Sequence, residues 1–313
     1  MISIKTSDFN SIKPFIEKMY IPPKSSHKGQ NGRVLVIGGS SLFHSSSLWS
    51  AEIASYFVDI VHYSSTVENN IIFLNLKKKF RNGIVVAQKD LPDYIKEDDA
   101  ILVGPGMLRK NSNDKIQMTN EIQNSNDKFE NIIQISDEGE YTYQLTKYLI
   151  NNFPNKKFVF DAGTLQMMDK NWLLKLKEKP VITPHQKEFE ELFGIVIEKQ
   201  NVPDKVQTVK ETAKKYNCVI LLKAVVDIVS DGEKSYIIEG GNSGLTKGGT
   251  GDLLAGLVLS LSAKNNQLAA SILSSYFLKK SAEALFIKRG YWYNINDLIK
   301  VIPKVISGIV NKI

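Results

Sequence analysis

Seven short apolar runs constrain the fold of this chain more than any other feature. They are RVLVIGGS (33–40), DIVHYSS (59–65), GIVVAQ (83–88), AILVGPG (100–106), KFVFDAG (157–163), PVITPH (180–185) and CVILLKA (218–224). Runs this apolar are typical of strands that are covered on both faces. Since segments long enough for helices separate most of them, the sequence predicts a mostly parallel sheet flanked by helices.

The second half of the chain adds a hairpin and a helical end. DIVSDGEKSYIIEG (227–240) consists of two β-like runs around Asp231-Gly232, a dipeptide typical of hairpin turns. Beyond it, the apolar pattern predicts three helices, over 252–263, about 267–289 and about 296–311.

Residues 107–157 differ from the rest because they are polar and rich in Asn. This composition indicates a surface insertion with weak helices. We find no internal repeat and no linker, so the sequence predicts a single domain over 1–313 with a polar insertion at about 107–157.

The composition excludes several classes of protein. Cys218 is the one cysteine among 313 residues, which rules out a disulfide within the chain, and its apolar surroundings predict a buried thiol. We find neither a signal-peptide pattern nor an apolar run of about 20 residues, so we expect a cytoplasmic protein without membrane contact. The net charge of +7 comes from scattered lysines without a nucleic-acid-binding motif, and we expect no nucleic-acid partner.

The stretch KGGTGDLLAG (247–256) points to chemistry. It places glycines and a threonine directly before Asp252 and an apolar helix. A capping role would explain Asp252 but not Gly248, Gly249 and Gly251. Glycines before a helix leave N–H groups free, and these bind phosphate together with the helix dipole. The residues alone leave two readings open, a plain helix cap and a carboxylate that accepts a proton beside an anion hole.

Several motifs in order resemble those of the NAD(P)H-hydrate dehydratases. GGTGDLLAG is similar to the family's GGTGDVLAG, and SHKGQNGRVLVIGGS (26–40) to its SHKGxxGRVLVIGGS. AILVGPGM, FVFDAGTL, VITPHQKEFEELFG and LLKAVVDIV resemble further family elements. The resemblance runs from about residue 8 to the C-terminus. It implies an α/β fold of the ribokinase-like type, a three-layer sandwich with a mostly parallel central sheet and helices on both faces.

This resemblance also implies an activity, that of a carbon–oxygen lyase. Family members return hydrated NADH or NADPH (the S epimer) to NAD(P)H, with ADP or ATP as co-substrate, by phosphorylating the ring hydroxyl and eliminating phosphate. Asp252 would be the base. The resemblance further implies an anion hole (Gly249, Thr250, Gly251), nucleotide contacts (Lys223, Ala224, Val225, Val226, Asp227, Gly251) and substrate contacts (Ser46, Gly104, Gly106, His185, Asp252). It implies Mg²⁺ near Glu188, bound through water, and a homo-oligomer, in the family often a tetramer.

The individual residues also have simpler interpretations. His185 follows Pro184 at a strand end, where its ring could hydrogen-bond to the backbone. Gly104-Pro105-Gly106 is also typical of a plain turn. Asp161 could cap the next helix. Lys223, by contrast, ends a buried strand, where a charge without a partner is costly, and this favours a role in anion binding.

The chain departs from the family pattern mainly in the binding loops. Ser45-Ser46-Ser47 replaces Gly-Ala-Pro, Asp227 stands where a Thr is expected, and Lys247 precedes the glycines, where it could add positive charge beside phosphates. Three hypotheses follow: a divergent dehydratase, a ribokinase-type kinase of another small alcohol, and a catalytically silent nucleotide-binding paralogue.

Overall fold

The computed structural model describes residues 2–109 and 128–312, and a ten-stranded sheet forms the middle layer of this part. The strands are β1 (Ile2–Lys5), β2 (Arg33–Ile37), β3 (Ile60–Ser64), β4 (Ile84–Val85), β5 (Ala100–Val103), β6 (Lys157–Phe160), β7 (Val181–Ile182), β8 (Val219–Leu222), β9 (Asp227–Ser230) and β10 (Ser235–Glu239). Across the sheet their order is β1-β10-β9-β8-β7-β6-β5-β2-β3-β4.

The predicted parallel sheet and hairpin are confirmed. Within the described ranges, only β9 runs antiparallel to its neighbours, β8 and β10. All seven apolar runs contain a strand, although β4 and β7 have only two residues each. The edge strand β1 was not predicted, because Ile4 alone among its four residues is buried and the segment carries no apolar run.

Helices cover both faces of the sheet. They are α1 (Phe9–Ile16), α2 (Ser45–Ala54), α3 (Val67–Leu76), α4 (Leu91–Glu97), α5 (Phe129–Ile132), α6 (Glu138–Asn152), α7 (Ala162–Met167), α8 (Gln186–Phe193), α9 (Val202–Lys215), α10 (Thr250–Ser262), α11 (Gln267–Arg289) and α12 (Ile295–Val310). Within the described part of the chain, no helix is both long and apolar enough to cross a membrane.

Alternation along the strands divides the apolar core into two layers. In β2, Val34 and Val36 pack with residues of α1, α2, α3, α10, α11 and α12, whereas Leu35 and Ile37 pack with residues of α4 to α9. Successive side chains of a strand point to opposite faces, so one apolar run serves both layers. Cys218 lies in the second layer, where burial raises the pKa of its thiol to about 12, as expected for an inert core cysteine.

Part of the range 107–157 contributes to the core. Within it, α6 is a helix of 15 residues whose Leu145 and Leu149 are fully buried in the second core layer. Polar residues of α6 can be buried because the hydroxyls of Thr142 and Thr146 donate hydrogen bonds to backbone oxygens of Glu138 and Thr142. The central part of the predicted insertion, 110–127, lies outside the described residues.

Helix α10 occupies a special place because other elements surround it. It packs against α2, α11 and strands β5 and β6, and all residues from Leu253 to Ser262 are buried. This explains a helix that is apolar nearly all around. Gly256 allows the approach of α2, since a Cβ there would lie 2.6 Å from the backbone oxygen of Ser50.

We therefore expect Gly256→Ala to lower the free energy of unfolding by about 1–3 kcal/mol, because the added methyl group forces α2 away from α10. Gly308→Ala is the matched control: it is also in a helix, but its Cβ would meet no atom within 4 Å. That control should gain about 0.5–1 kcal/mol from helix propensity. Urea unfolding of both variants measures the difference, and equal effects would contradict the packing argument.

Candidate active site

The candidate site lies where the carboxyl ends of four adjacent strands meet the start of α10. Gly104 follows β5, Asp161 follows β6, His185 lies beyond β7 and Lys223 follows β8. Gly104 has φ +127°, and a Cβ there would overlap the Asp161 carbonyl oxygen, so glycine is required for the close approach of these two strand ends. Ligand sites of open α/β sheets lie at such strand ends.

Gly249, not Asp252, occupies the N-cap of α10. Gly249 has φ +93°, and a Cβ at this position would lie 2.5 Å from the Trp49 ring, so only glycine fits. No side chain caps the helix at this position. Asp252 lies in the first turn, and the Ser46 side chain is near enough to its carboxylate to lower the pKa. The reading of Asp252 as a plain helix cap is therefore wrong.

The amides before Asp252 are partly free. Among the described residues, the N–H groups of Gly249 and Gly251 donate to no protein oxygen, whereas that of Thr250 donates to the Lys247 oxygen at 3.2 Å. The Thr250 hydroxyl is buried and has no hydrogen-bond partner within the same ranges. Two free amides and one unpartnered hydroxyl at the start of a helix can donate hydrogen bonds to an anion and so bind it.

A half-buried cation lies beside these amides. The Lys223 ammonium is 2.7 Å from Asp161 Oδ1 and 3.9 Å from Glu188 Oε2, and a Cβ on Gly251 would lie 3.3 Å from it. Burial acts to lower the pKa of Lys223, but Asp161 and Glu188 outweigh it and raise the pKa above its usual range. Lys223 is therefore charged at neutral pH and faces the start of α10.

Asp161 does not act as a helix cap, contrary to one sequence-based interpretation. It precedes α7, but its side chain makes no capping hydrogen bond. Instead, its Oδ1 accepts hydrogen bonds from Lys223 and, at 2.8 Å, from the Thr183 hydroxyl.

His185 and Glu188 form a capping box at the start of α8. The Glu188 amide donates to His185 Nδ1 at 3.1 Å, and the His185 amide donates to Glu188 Oε2 at 2.9 Å. The interpretation that the His185 ring hydrogen-bonds to backbone thus holds for Nδ1. Glu188 is only 4% exposed, and its Oε1 accepts a hydrogen bond from Gln166.

No dedicated metal cage is present in the described part of the chain, where no group of three or more His, Cys, Asp or Glu residues is arranged around one point. Both Glu188 oxygens already accept hydrogen bonds. The placement of Mg²⁺ near Glu188 stays a prediction, and these contacts favour an ion bound through water over direct coordination.

The surroundings of Asp252 raise the pKa of its carboxyl to about 6. Burial is the main cause, followed by the negative charge of Asp161. The charge of Lys223 and the nearby Ser46 hydroxyl lower the pKa, and Glu188 raises it again. A carboxylate with a pKa near 6 is ionised at neutral pH yet basic enough to accept a proton, which is the property of a general base.

Asp252 borders a cavity of about 330 Å³, together with Ser46 and Gly106. The sequence interpretation missed Phe43, Gln166 and Arg109, which line the same cavity. For Phe43 the sequence offered a signal, because it is an aromatic residue within the polar stretch SSLFHSSS. In the structure it is 46% exposed. Gln166 and Arg109 carried none, because their directions depend on the packing of α7 and of the segment after β5.

Two departures from the family pattern have different outcomes from those expected. Lys247 adds no charge beside the amides, because its ammonium donates to the backbone oxygens of Tyr291 and Tyr293 and lies 4.2 Å from the Tyr291 ring centroid. Asp227 adds no free negative charge to the segment after Lys223, since its carboxylate is buried 3.5 Å from the Lys279 ammonium.

Comparisons with known proteins identify the family of this chain. A family model described as NAD(P)H-hydrate dehydratase matches residues 34–304. The chain belongs to this family. It is 30% identical over 304 residues to an ADP-dependent (S)-NAD(P)H-hydrate dehydratase of Nitrosopumilus maritimus, covering 93% of this chain and 94% of the relative.

Another relative is longer than this chain. A bifunctional NAD(P)H-hydrate repair enzyme of Methanocaldococcus jannaschii is 31% identical over 289 residues, which cover 90% of this chain and 50% of the relative. The chain thus spans about half the length of such bifunctional family members.

Solved structures confirm the ribokinase-like fold. A ribokinase-like superfamily protein of Enterococcus faecalis aligns with a TM-score of 0.70 at 21% identity, over 95% of this chain and 94% of that chain. An ADP/ATP-dependent NAD(P)H-hydrate dehydratase of Bacillus subtilis, co-crystallised with ATP and Mg²⁺, aligns with a TM-score of 0.74 at 19% identity, over 95% and 97% of the two chains.

The raised pKa of Asp252 predicts a pH-dependent cost in stability. Because the folded-state pKa of about 6 exceeds the ordinary value of 3.8, the native state loses stability as pH rises from about 4 through 6. We expect Asp252→Asn to raise the free energy of unfolding by about 1–3 kcal/mol at pH 8 and by far less at pH 4.

Urea unfolding at both pH values measures this difference. Asp204→Asn is the matched control, because Asp204 also lies in the first turn of a helix, α9, but is exposed. The control should lose a few tenths of a kcal/mol, since a negative charge near a helix start is favourable. A loss of stability for Asp252→Asn at pH 8 would contradict the burial argument.

Proposed function

We propose that this protein returns hydrated NADH or NADPH to NAD(P)H, with ADP or ATP as the phosphoryl donor. The observation that carries the proposal is the position of Asp252, which borders the same cavity as Ser46 and lies beside free amides and Lys223. The family membership and the functions named for the two relatives support the choice of substrate.

In the first step, Asp252 accepts the proton of the ring hydroxyl while the hydroxyl oxygen attacks the terminal phosphorus of the nucleotide. The bond from that phosphorus to the leaving nucleotide breaks, so ATP becomes ADP or ADP becomes AMP. Free amides of Gly249 and Gly251 would stabilise the charge on the phosphoryl group in flight, helped by the dipole of α10. The proposed anion hole relies less on Thr250, because its amide is already engaged.

The second step is elimination. The C–O bond between the ring carbon and the phosphate breaks, the proton of the neighbouring carbon passes to the departing phosphate, and the electron pair of that C–H bond forms the ring double bond. Ser46 and Gly106 border the cavity in which the ring would lie, and Gly104 and His185 lie at the adjacent strand ends. We assign these four residues to substrate binding, with Ser46 also orienting the Asp252 carboxylate.

The nucleotide would bind on the Lys223 side of the anion hole. We assign Ala224, Val225, Val226 and Asp227 to this subsite because they follow Lys223 directly, and Val225 is 90% exposed. Gly251 adjoins the Lys223 ammonium, and any side chain there would press against it. Lys223 would then contact the nucleotide phosphates.

Three carboxylates, Asp161, Glu188 and Asp252, share one ammonium in this region. A polyphosphate would meet net negative charge here, so we expect it to arrive as a magnesium complex. Mg²⁺ keeps several waters and binds mainly through substrate phosphates, which suits a site without a protein cage. When bound, the ion would neutralise phosphate charge.

A direct assay tests the proposal. We expect purified protein with hydrated NADH or NADPH, Mg²⁺ and ADP or ATP to restore absorbance at the reduced-nicotinamide wavelength, and to do so only when nucleotide is present. A stable phosphorylated product instead would favour the ribokinase-type kinase, which needs the same base and amides. No turnover with either nucleotide would reject the dehydratase.

Asp252→Asn tests the role of the base. We expect kcat to fall by about 10²- to 10⁴-fold with nucleotide affinity retained, because the amide cannot accept the proton. For the unsubstituted protein, kcat/KM should rise with pH through about 6 and then level off, as Asp252 ionises. Steady-state kinetics from pH 5 to 8 measure both, with Asp204→Asn as the control of unchanged activity. Full activity of Asp252→Asn would exclude this mechanism.

A further inference from the structure

A second cation, Lys279, is buried beneath the segment 224–227, here called the nucleotide loop, and does not line the Asp252 cavity. Lys279 belongs to α11 and is 4% exposed. Its ammonium donates to the Val225 oxygen at 2.9 Å and to the Ala224 oxygen at 3.5 Å, and it lies 3.5 Å from Asp227 Oδ2. Lys279 thus contacts three residues of one short segment.

Asp227 fixes the same segment from its other end. Its Oδ1 accepts the amide hydrogen of Ala224 at 2.9 Å, which closes the segment into a tight loop. Its Oδ2 accepts a hydrogen bond of 2.6 Å from the Ser275 hydroxyl, one turn before Lys279 in α11. The backbone of 224–227 is therefore bound to α11 by a carboxylate and by an ammonium.

Burial of two charged groups needs a reason other than stability. Removing a lysine and an aspartate from water costs several kcal/mol for each, and apolar residues of similar volume often serve stability equally well. The two groups lie outside the cavity around Asp252, and neither contacts Asp161 or Glu188. The pair holds the loop in place, because Asp227 accepts a hydrogen bond from the Ala224 amide and Lys279 donates hydrogen bonds to the Ala224 and Val225 oxygens.

The loop that it immobilises has an unusual outer face. Val225 is 90% exposed although its carbonyl oxygen accepts a hydrogen bond from Lys279, and Lys223, immediately before the loop, faces the start of α10. A rigid loop with an exposed apolar side chain next to a phosphate-binding lysine suits a nucleoside, since the ordering cost of the loop is met before the ligand arrives.

We propose that Lys279, paired with Asp227, is a positioning residue that holds the 224–227 loop in the conformation that binds the adenine nucleotide. The inference rests on the proposed use of a nucleotide at this site. It also accounts for the carboxylate at 227, where the family resemblance leads one to expect a threonine: Asp227 and Lys279 are complementary and act together.

Two variants and a control test this role. Lys279→Met removes the ammonium but leaves Asp227 buried without its cation. The double variant Asp227→Asn/Lys279→Met removes both charges and keeps an amide oxygen for the Ala224 N–H, so it avoids an unpaired buried charge. Lys288→Met is the matched control, because Lys288 lies in the same helix but is exposed.

For both variants we expect the KM and Kd for ADP or ATP to rise about tenfold, the loss expected when hydrogen bonds to a charged group disappear. The kcat and the KM for the hydrated dinucleotide should change less than twofold, and Lys288→Met should match the unsubstituted protein. A merely structural role would lower the melting temperature without this split, and unchanged nucleotide KM in the folded double variant would overturn the inference.

Hydrogen exchange separates this inference from the proposed function. In the nucleotide-free protein, the Ala224 amide should exchange at least tenfold faster in Lys279→Met than in Lys288→Met, because the loop loses its partner from α11. This readout needs no turnover. If the protein bound nucleotide but dehydrated nothing, the proposed reaction would fail while this inference stood; if neither nucleotide bound, or Ala224 exchange were unchanged, this inference would fail.

Discussion

The site depends on the sharing of one ammonium by three carboxylates at the ends of neighbouring strands. Lys223 pairs closely with Asp161, lies near Glu188 and attracts Asp252 from farther away. Burial is the main cause of the raised pKa of Asp252, and the charge of Asp161 raises it further, whereas Asp161 and Glu188 keep Lys223 charged. Parallel strands make the arrangement possible, since they deliver all of these residues to one edge of the sheet.

Much of the fold could be predicted because its strands are buried on both faces and therefore appear as continuous apolar runs. The hairpin around Asp231-Gly232 and the three final helices followed from equally local signals. Strand β1 and the burial of helix α6 in the core could not be predicted in this way. The former buries one side chain, and the latter hides Thr142 and Thr146 by satisfying their hydroxyls within the helix.

The site was predictable where backbone geometry decides and not where side-chain direction decides. The glycines before Asp252 announced a close approach, and Gly249 does face the Trp49 ring. From its place in the sequence, Lys247 could add positive charge beside phosphates, but its ammonium binds the backbone oxygens of Tyr291 and Tyr293 instead. Its partners lie more than 40 residues away, so no local pattern reveals them. The same holds for Lys279, whose partners in the nucleotide loop come from a distant segment.

The enclosure of α10 by other elements links the amides at its start to distant parts of the fold. Every residue from Leu253 to Ser262 is enclosed by other elements, and the helix start presents the proposed phosphate-binding amides. A shift of this helix along its axis costs much free energy, because it would disrupt the packing of α2, α11 and the central strands together. The position of the amides at the start of α10 is therefore tied to the packing of its neighbours, and a substitution in the contact faces of α2 or α11 would reach the proposed phosphate-binding amides without touching them.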